Sequence, residues 1–409
     1  MNSISNLYIE PTTHCNLSCQ MCSRNYWENE EIGHMSPTTF ENTIRNIPDS
    51  VRRIFFGGVG EPLSHPEIIP MIKKAKETGR IVGMITNGTL LDEEMSQTLI
   101  ETGLNELWIS MDSVHEDEVK SLGKSEKSEK SEKSEKSGKS GESGKSGESG
   151  KSGESGESIN VLHNVKNFIN KIPNRYLLRY NTDLAESEKI KVGIAFVLMK
   201  SNLEQFRELV KKAQRIGIAE IKASHLIPYD EAGLAEICYG RILGTGLYRE
   251  SEESITHLNL PIMEGQFLSS EKGKEQLISP NLSVSILDTP IYRRKKWCKF
   301  IEDGYIFVRW DGEVSPCISL LHDNHVVQQG RYRHNKFCSY GNVNQSSIQK
   351  IWDASEYSEF RKRVKEFKFS PCVACGPCNL FESNETDCEG SPFPTCGACL
   401  WAEGLFQCP

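Results

Sequence analysis

The stretch Leu7–Cys22, LYIEPTTHCNLSCQMC, joins a short apolar run to three cysteines within eight residues. The run Leu7–Glu10 is predicted to be a strand, and Cys15, Cys19 and Cys22 follow it with the spacing C-x3-C-x2-C. Three thiolates so close together can surround only one compact metal centre. A closed zinc site needs four ligands, whereas three leave one position open, and iron–sulfur clusters are also held by thiolates. The spacing alone leaves open a zinc site completed from elsewhere in the chain.

Outward from this stretch, short apolar runs alternate with segments of helical periodicity. Helix starts are marked by Ser36 before Pro37, and by Asp92 before a run that stops at Gly103. Asn202–Gln205 is predicted to be a capping box at the start of another helix. About six strand–helix repeats predict a parallel α/β sheet or barrel. The predicted strands are Leu7–Glu10, Arg53–Phe56, Ile81–Ile85, Leu107–Met111, Lys191–Met199 and Glu220–Leu226.

Residues 124–158 interrupt this pattern with a repeat of Lys, Ser, Glu and Gly that contains no apolar side chain. Such a segment has nothing to bury, so it is predicted to be disordered and to loop out from the barrel. A docking arm for a partner is the alternative, and no feature of the sequence favours it.

Polar and glycine-rich motifs follow three of the predicted strands. FFGGVGEPLSH contains Gly57, Gly58, Gly60 and Glu61; ITNGT contains Asn87; and WISMDS contains Ser110 and Asp112. Each motif alone could be an ordinary turn. All of them stand at the carboxyl ends of strands, where α/β barrels build their sites.

Together with the cysteine spacing, these motifs resemble those of radical S-adenosylmethionine (SAM) enzymes, over roughly residues 7–229. The resemblance implies a partial (β/α)6 TIM-like barrel in which Cys15, Cys19 and Cys22 hold three irons of a [4Fe-4S] cluster and SAM chelates the fourth. It implies reductive cleavage of SAM to a 5′-deoxyadenosyl radical. It also implies that SAM contacts the residues Gly57, Gly58, Gly60, Glu61, Asn87, Ser110 and Asp112.

Ten further cysteines follow residue 297, and Cys238 stands alone between the two groups. Tyr305–Arg309 and Glu313–Ser315 are predicted to form a hairpin, and Ile348–Phe367 one amphipathic helix. This order resembles the SPASM extension of radical SAM enzymes, which carries up to two auxiliary [4Fe-4S] clusters. Two clusters need eight thiolates, although the spacing here departs from the common SPASM tail. The cysteines expected to bind metal are Cys298, Cys317, Cys338, Cys372, Cys375, Cys378, Cys388, Cys396, Cys399 and Cys408.

The ending NETDCEGSPFPTCGACLWAEGLFQCP resembles that of radical SAM maturases associated with tungsten cofactor oxidoreductases of the aldehyde ferredoxin oxidoreductase type. The resemblance implies modification of a tungsten-pterin enzyme or its cofactor, with a low-potential donor such as ferredoxin or flavodoxin. One alternative is a radical SAM–SPASM enzyme that forms a thioether or carbon–carbon crosslink in a ribosomally made peptide. Another is a zinc-binding scaffold without catalytic activity.

Composition and charge narrow the remaining function classes. The net charge of −8 over 409 residues disfavours a nucleic-acid partner, and no apolar run approaches the length of a membrane span. The N-terminus also lacks the basic and apolar blocks of a signal peptide, so we expect a cytoplasmic protein. In that reducing compartment, clustered cysteines indicate metal sites rather than disulfides. The expected domains are a barrel over residues 1–235, a linker region over 236–290 and an auxiliary cluster domain over 291–409.

Overall fold

The computed structural model describes residues 3–45, 47–113, 161–173, 190–238, 283–286, 297–328, 330–372, 378–402 and 406. The repeat at 124–158, most of the predicted linker region, Cys375 and Cys408 lie outside these residues.

Among the residues that the structure describes, one sheet of nine strands forms the centre. Its first six strands are parallel and lie side by side in chain order, as the strand–helix alternation predicted. The bounds agree with the predicted runs to within one residue at either end. They are β1 (Asn6–Ile9), β2 (Arg53–Phe56), β3 (Ile81–Thr86), β4 (Glu106–Met111), β5 (Lys191–Leu198) and β6 (Glu220–His225).

Three further strands extend the sheet at its two edges. β7 (Ser283–Ile286) pairs in parallel with β6, although the sequence pattern assigned these residues to a linker. At the other edge, β8 (Tyr305–Val308) pairs in parallel with β1, and β9 (Val314–Ser315) pairs antiparallel with β8. The β8–β9 hairpin was predicted. Its pairing with β1 was not, and it makes the C-terminal region continuous with the barrel sheet.

Helices cover the outer face of the sheet. Ser36 caps α1 by accepting from the Thr39 backbone N–H at 3.1 Å, and Asp92 caps α3 by accepting from that of Met95 at 2.7 Å, as predicted. The helices are α1 (Pro37–Ile44), α2 (Ile68–Glu77), α3 (Glu93–Glu101), α4 (Val161–Lys171), α5 (Leu203–Ile216) and α6 (Glu231–Glu236). No described helix is long and apolar enough to cross a membrane.

The predicted capping box at Asn202 is wrong. Its side chain accepts from the Met199 backbone N–H at 2.8 Å and donates to the carbonyl oxygens of Asp112 and Val197 at 2.9 and 2.8 Å. Asn202 therefore ties together the ends of β4 and β5 and leaves the first turn of α5 without a side-chain cap.

The C-terminal region adds α7 (Lys299–Glu302), a hairpin of β10 (Asn324–Gln328) and β11 (Arg331–Asn335), and two helices. The single helix predicted over Ile348–Phe367 is wrong. It is broken into α8 (Ile348–Asp353) and α9 (Ser355–Glu366), because Ala354 adopts an extended conformation with ψ of 140°. The break lets the Trp352 and Tyr357 rings pack edge to face at 5.3 Å.

The two faces of the sheet bury different side chains. Aliphatic residues pack outward against the helices, whereas the barrel interior holds a mainly aromatic cluster that includes Tyr8, Phe55 and Trp108. Phe300 and Phe307 of the C-terminal region complete this cluster. The C-terminal region therefore supplies part of the barrel's own core.

Candidate functional site

The three N-terminal cysteines lie on the loop between β1 and a short 3-10 helix, Ser23–Tyr26. The Arg24 guanidinium holds this loop by donating to the carbonyl oxygens of Thr13 at 3.1 Å and Leu17 at 3.0 Å. The Asn25 side chain donates to the Cys19 carbonyl at 2.7 Å. The loop is therefore pinned at its start, middle and end without using the thiols.

The thiols of this loop are close enough to influence one another. Burial, together with the charges of Asp112, Cys22 and Cys15, raises the pKa of Cys19 to about 12. Burial likewise raises the pKa of Cys15 and Cys22. The bare thiols are therefore protonated at neutral pH, and metal binding at this loop has to displace their protons.

Three cysteine thiols on one loop are a donor set that fits an iron–sulfur cluster. Within the part of the chain that the structure describes, no three His, Cys, Asp or Glu side chains converge closely enough to hold one metal ion. Tetrahedral zinc would require sulfur atoms about 3.8 Å apart. In a cluster each thiolate binds a different iron, so the sulfurs stand further apart.

The glycine-rich segment packs tightly against β1 and the cysteine loop. A Cβ on Gly58 would lie 2.4 Å from the Glu10 side chain, and its φ of 128° already excludes most side chains. A Cβ on Gly60 would lie 2.3 Å from the Thr12 carbonyl oxygen. The resemblance implies that SAM contacts these glycines; in the structure they permit close approach to the end of β1 and to the loop that carries the cysteines.

Glu61 and Asn87 link the glycine segment to the end of β3. The Glu61 carboxylate is 2% exposed and accepts from the backbone N–H groups of Leu63 and Asn87 and the Thr86 hydroxyl, at 2.7–2.9 Å. Three donors therefore already occupy the carboxylate that the resemblance implies is in contact with SAM. The Asn87 side chain reaches the cysteine loop, donating to Cys15 Sγ at 3.8 Å and Asn16 Oδ1 at 3.0 Å.

Asp112 stands just past the end of β4 and interacts electrostatically with Cys19. Its Oδ1 is buried and has no hydrogen-bond partner. Burial raises the pKa of Asp112 to about 6. A buried acceptor without a donor beside the cysteine loop fits a hydrogen-bond donor of a ligand, and the resemblance implies that SAM contacts Asp112. Ser110 lies within β4, two residues before Asp112.

Sequence reasoning missed two groups that organise this site. Arg24, two residues after the last cysteine of the loop, was recognisable only as a basic residue near the motif. Asn202 was assigned to the wrong role, because its hydrogen bonds run to strands rather than to its own helix.

A second group of thiols comes from three distant segments. Burial raises the pKa of Cys298 to about 12, with Cys399 as the next contribution. Burial and the charges of Cys298 and Cys399 raise that of Cys317, and the pKa of Cys396 is raised by burial and by Cys399, Cys298 and Cys317. Four thiols therefore share one neighbourhood, beside the aromatic interior of the barrel.

The other C-terminal cysteines are more dispersed. Cys338 is buried, and Tyr340 donates a hydrogen bond to its sulfur. Cys372 packs with Phe381 and Ala398, while the exposed Cys388 donates to the Ser370 hydroxyl at 3.1 Å. Cys378 begins a short 3-10 helix. The structure therefore brings four of the ten predicted cysteines together; Cys375 and Cys408 lie outside the described residues.

A cavity of about 850 Å³ opens at the opposite, amino-terminal end of the strands. Its charges are largely paired: Arg53 bonds Glu106 at 2.6 Å and Lys191 contacts Glu220. Lys222 lies 4.7 Å from the Trp108 ring centroid. The amino-terminal end of the barrel is therefore lined by charged residues, and the cysteine loop lies at the opposite end.

Two family models match separate parts of the chain. Residues 9–136 match the radical SAM superfamily, and residues 298–379 match SPASM, an iron–sulfur cluster-binding domain. The first match covers the cysteine loop and the strand ends just described. The second covers Cys298, Cys317 and the hairpin that joins β1.

Known proteins resemble the chain at two scales. A tungsten-containing aldehyde ferredoxin oxidoreductase cofactor-modifying protein of Pyrococcus furiosus is 28% identical over 98% of this chain and 96% of its own length. A probable GTP 3′,8-cyclase of Methanothermobacter marburgensis is 34% identical over 29% of this chain and 39% of its own length. The structure of Streptococcus suis SuiB bound to precursor peptide SuiA has a TM-score of 0.53 at 16% identity, covering 92% of this chain and 70% of that one. At that identity the likeness is one of fold.

Proposed function

We propose that this chain, which is a radical SAM enzyme with a C-terminal SPASM domain, modifies a tungsten-containing aldehyde oxidoreductase or its tungsten-pterin cofactor. The observation that carries the proposal is the resemblance to the Pyrococcus furiosus cofactor-modifying protein, which extends over 98% of the chain. The cyclase resemblance covers less than a third of the chain.

In this proposal the cysteine loop holds a [4Fe-4S] cluster through Cys15, Cys19 and Cys22. When bound, the cluster and SAM supply reductive cleavage of SAM, and with it the radical chemistry. Arg24 fixes the loop by its two backbone contacts, and Asn87 donates to the Cys15 sulfur. These contacts set the loop geometry before any ligand binds.

The strand ends orient SAM against this loop. The backbone of Gly57–Gly60 faces β1 so closely that it forms a rigid edge, and Asp112 offers an unpaired buried oxygen. A neutral Asp112 can donate one hydrogen bond, whereas an ionised Asp112 can only accept. Because the pKa of Asp112 is raised to about 6, the change between these two forms takes place near pH 6. Glu61 acts through its bonds to Thr86 and Asn87, as a positioning residue.

The C-terminal thiols would hold the auxiliary clusters. Cys298, Cys317, Cys396 and Cys399 are the set that the fold brings together, and they adjoin the aromatic interior that the barrel shares. A chain of such centres can pass electrons, which redox-inert zinc cannot. We therefore propose a low-potential ferredoxin or flavodoxin as the electron donor.

The test is a mass change in the proposed substrate. Protein reconstituted without oxygen is incubated with SAM, a low-potential reductant and the immature tungsten oxidoreductase, and both 5′-deoxyadenosine and the masses of the oxidoreductase and its extracted cofactor are measured. We expect both signals, and their loss in the Cys19→Ala variant. Cys238→Ala, a substitution outside both cysteine groups, is the matched control and should keep both.

Two outcomes would replace the proposal. A co-purified precursor peptide that gains the mass change, with the oxidoreductase unmodified, would favour the peptide-modifying alternative. Zinc without acid-labile sulfide in protein purified without oxygen would instead support the non-catalytic scaffold.

A further inference from the structure

A buried charged group joins the SPASM region, residues 298–379, to the barrel. It lies at the carboxyl ends of the strands, where the proposed function places SAM. His322, 3% exposed, lies between two carboxylates of the N-terminal part: its Nε2 is 2.8 Å from Glu10 Oε2 and its Nδ1 is 2.8 Å from Glu30 Oε2. Glu10 is fully buried and directly follows β1. The Trp27 ring, with its centroid 4.6 Å from that of the imidazole, covers the group.

The geometry decides the charge of His322. A neutral imidazole has one donor and one acceptor nitrogen, so its acceptor would face a carboxylate oxygen that also only accepts. Both carboxylates are already stabilised as anions. Glu10 accepts from the Val59 backbone N–H at 3.0 Å, and Glu30 accepts from that of Asp323 at 2.7 Å and lies 3.5 Å from Arg309 Nη1. Both ring nitrogens therefore carry a proton. His322 is an imidazolium that donates one charge-assisted hydrogen bond to each carboxylate.

The two carboxylates connect His322 to the two segments that form the proposed SAM site. Glu10 holds Val59, which lies inside the segment Gly57–Gly60. Glu30 lies on the loop that supports the cysteines: three residues on, Gly33 accepts from the Thr13 backbone N–H at 3.0 Å and donates to the Thr13 hydroxyl at 2.8 Å. His322 therefore contacts both supports at once, and it does so from a position five residues after Cys317.

A second contact from the same region supports this arrangement. A Cβ on Gly33 would lie 2.4 Å from the Trp310 ring, so the supporting loop is pressed against the β8–β9 hairpin. Arg309 of that hairpin is oriented by Asp311, with its Nε 3.0 Å from Asp311 Oδ1. The SPASM region thus contacts the supporting loop through Trp310, Arg309 and His322.

We propose that His322, as an imidazolium bridging Glu10 and Glu30, is a positioning residue through which the SPASM region sets the geometry of the SAM-binding segments. This inference rests on the part of the proposed function that locates SAM at this end of the barrel. It does not depend on the identity of the modified substrate.

The first experiment measures the charge of His322 in the chain without cofactors. Burial opposes ionisation, but the charges and hydrogen bonds of Glu10 and Glu30 outweigh it and raise the pKa of His322 to about 9. The chain has ten histidines. In ¹⁵N-histidine spectra recorded from pH 6 to 10, we expect one imidazole to keep both ring protons until about pH 9, and this signal to vanish in His322→Gln. Titration of every imidazole near or below its ordinary pKa would overturn the proposal.

The second experiment measures SAM affinity in the cluster-loaded protein by equilibrium titration. We expect His322→Gln to weaken SAM binding about tenfold, because one set of charge-assisted bonds is lost. The groups facing His322 are Glu10, Glu30, Arg309 and, behind Arg309, Asp311. Since the imidazolium is the form that bridges, native affinity should be constant from pH 7 to 8 and fall as the pH rises through about 9. The variant should lack this fall.

Two further variants separate positioning from loss of folding. Glu30→Gln removes the less buried partner and should weaken SAM binding less than His322→Gln; combined with His322→Gln it should add little, because the two act through one bridge. His325→Gln changes a nearby histidine that stacks on His334, 4.4 Å between ring centroids, and should leave affinity and its pH profile unchanged.

The outcomes distinguish this inference from the proposed function. Equal SAM affinity in native and His322→Gln protein at every pH would overturn the inference alone. A His322-dependent affinity without modification of the oxidoreductase would overturn the proposed substrate alone. A native protein that binds no SAM would overturn both.

Discussion

The two cysteine groups of this chain are built in opposite ways. Cys15, Cys19 and Cys22 share one loop, and polar residues such as Arg24 and Asn87 hold that loop. Cys298, Cys317, Cys396 and Cys399 come from separate segments and meet against aromatic and aliphatic side chains. The first group is a local site that the barrel does not need for its packing. The second group is part of the packing, so substitutions in the first should lower activity and substitutions in the second should also lower stability.

The largest expected effect is on activity at the local group. Cys19→Ala should lower 5′-deoxyadenosine formation by more than about 100-fold, since loss of a ligand exceeds the 10–100-fold cost of losing a group bonded to a ligand. The melting temperature of the cofactor-free chain should stay within a few degrees of that of the native chain. Comparable activity in Cys19→Ala and Cys238→Ala would remove this loop from the radical site.

Asp112→Asn should make the cofactor-free chain more stable while weakening the site. A pKa raised from 3.8 to about 6 means that the folded state holds the proton more tightly than the unfolded state. The group therefore stabilises the fold below about pH 4, and that contribution is lost as the pH rises through about 6. At pH 7 the native chain should be less stable than Asp112→Asn by about 2–3 kcal/mol, measured by denaturant unfolding.

The profile against pH is the control for that prediction. The stability difference between Asp112→Asn and native protein should shrink as the pH falls from 7 to 4. A difference that is constant over this range would mean that the carboxyl group of Asp112 is not responsible for it.

Cys317→Ala should affect stability where Cys19→Ala does not. Cys317 packs against both the outer and the interior core and adjoins Cys298 and Cys399. Its loss in the iron-loaded protein should cost at least about 2 kcal/mol of unfolding free energy, since it removes a metal link between distant segments. Cys238→Ala again serves as the control. Equal unfolding curves for Cys317→Ala and Cys19→Ala would erase the contrast between the groups.

The smallest effect is expected from the repeat. Deletion of residues 124–158 should leave SAM cleavage within about twofold of the native rate, because loop length contributes only weakly to stability. The measurement is 5′-deoxyadenosine formation under saturating SAM. A large loss would show that the segment takes part in a step that neither cysteine group explains.

The same contrast explains what the sequence could predict. The N-terminal loop is local in sequence, so its cysteine spacing and the strand before it could be predicted. The six parallel strands of the barrel could be predicted for the same reason. The meeting of Cys396 and Cys399 with Cys298 depends on how the tail folds back over about a hundred residues, which no spacing encodes. The break at Ala354 and the bonds of Asn202 were missed because tertiary contacts outweighed local helical signals.

The pairing of β8 with β1 also affects folding while the chain is being synthesised. The first strand leaves the ribosome early, but its partner at residues 305–308 follows about 300 residues later. At roughly 5–20 residues per second, one edge of β1 waits about 15–60 s for its neighbour. During that interval the nascent barrel presents an apolar strand edge, the kind of surface that chains use to aggregate. Synthesis of residues 305–308 therefore covers this edge of β1 in the same event that begins to deliver the SPASM region.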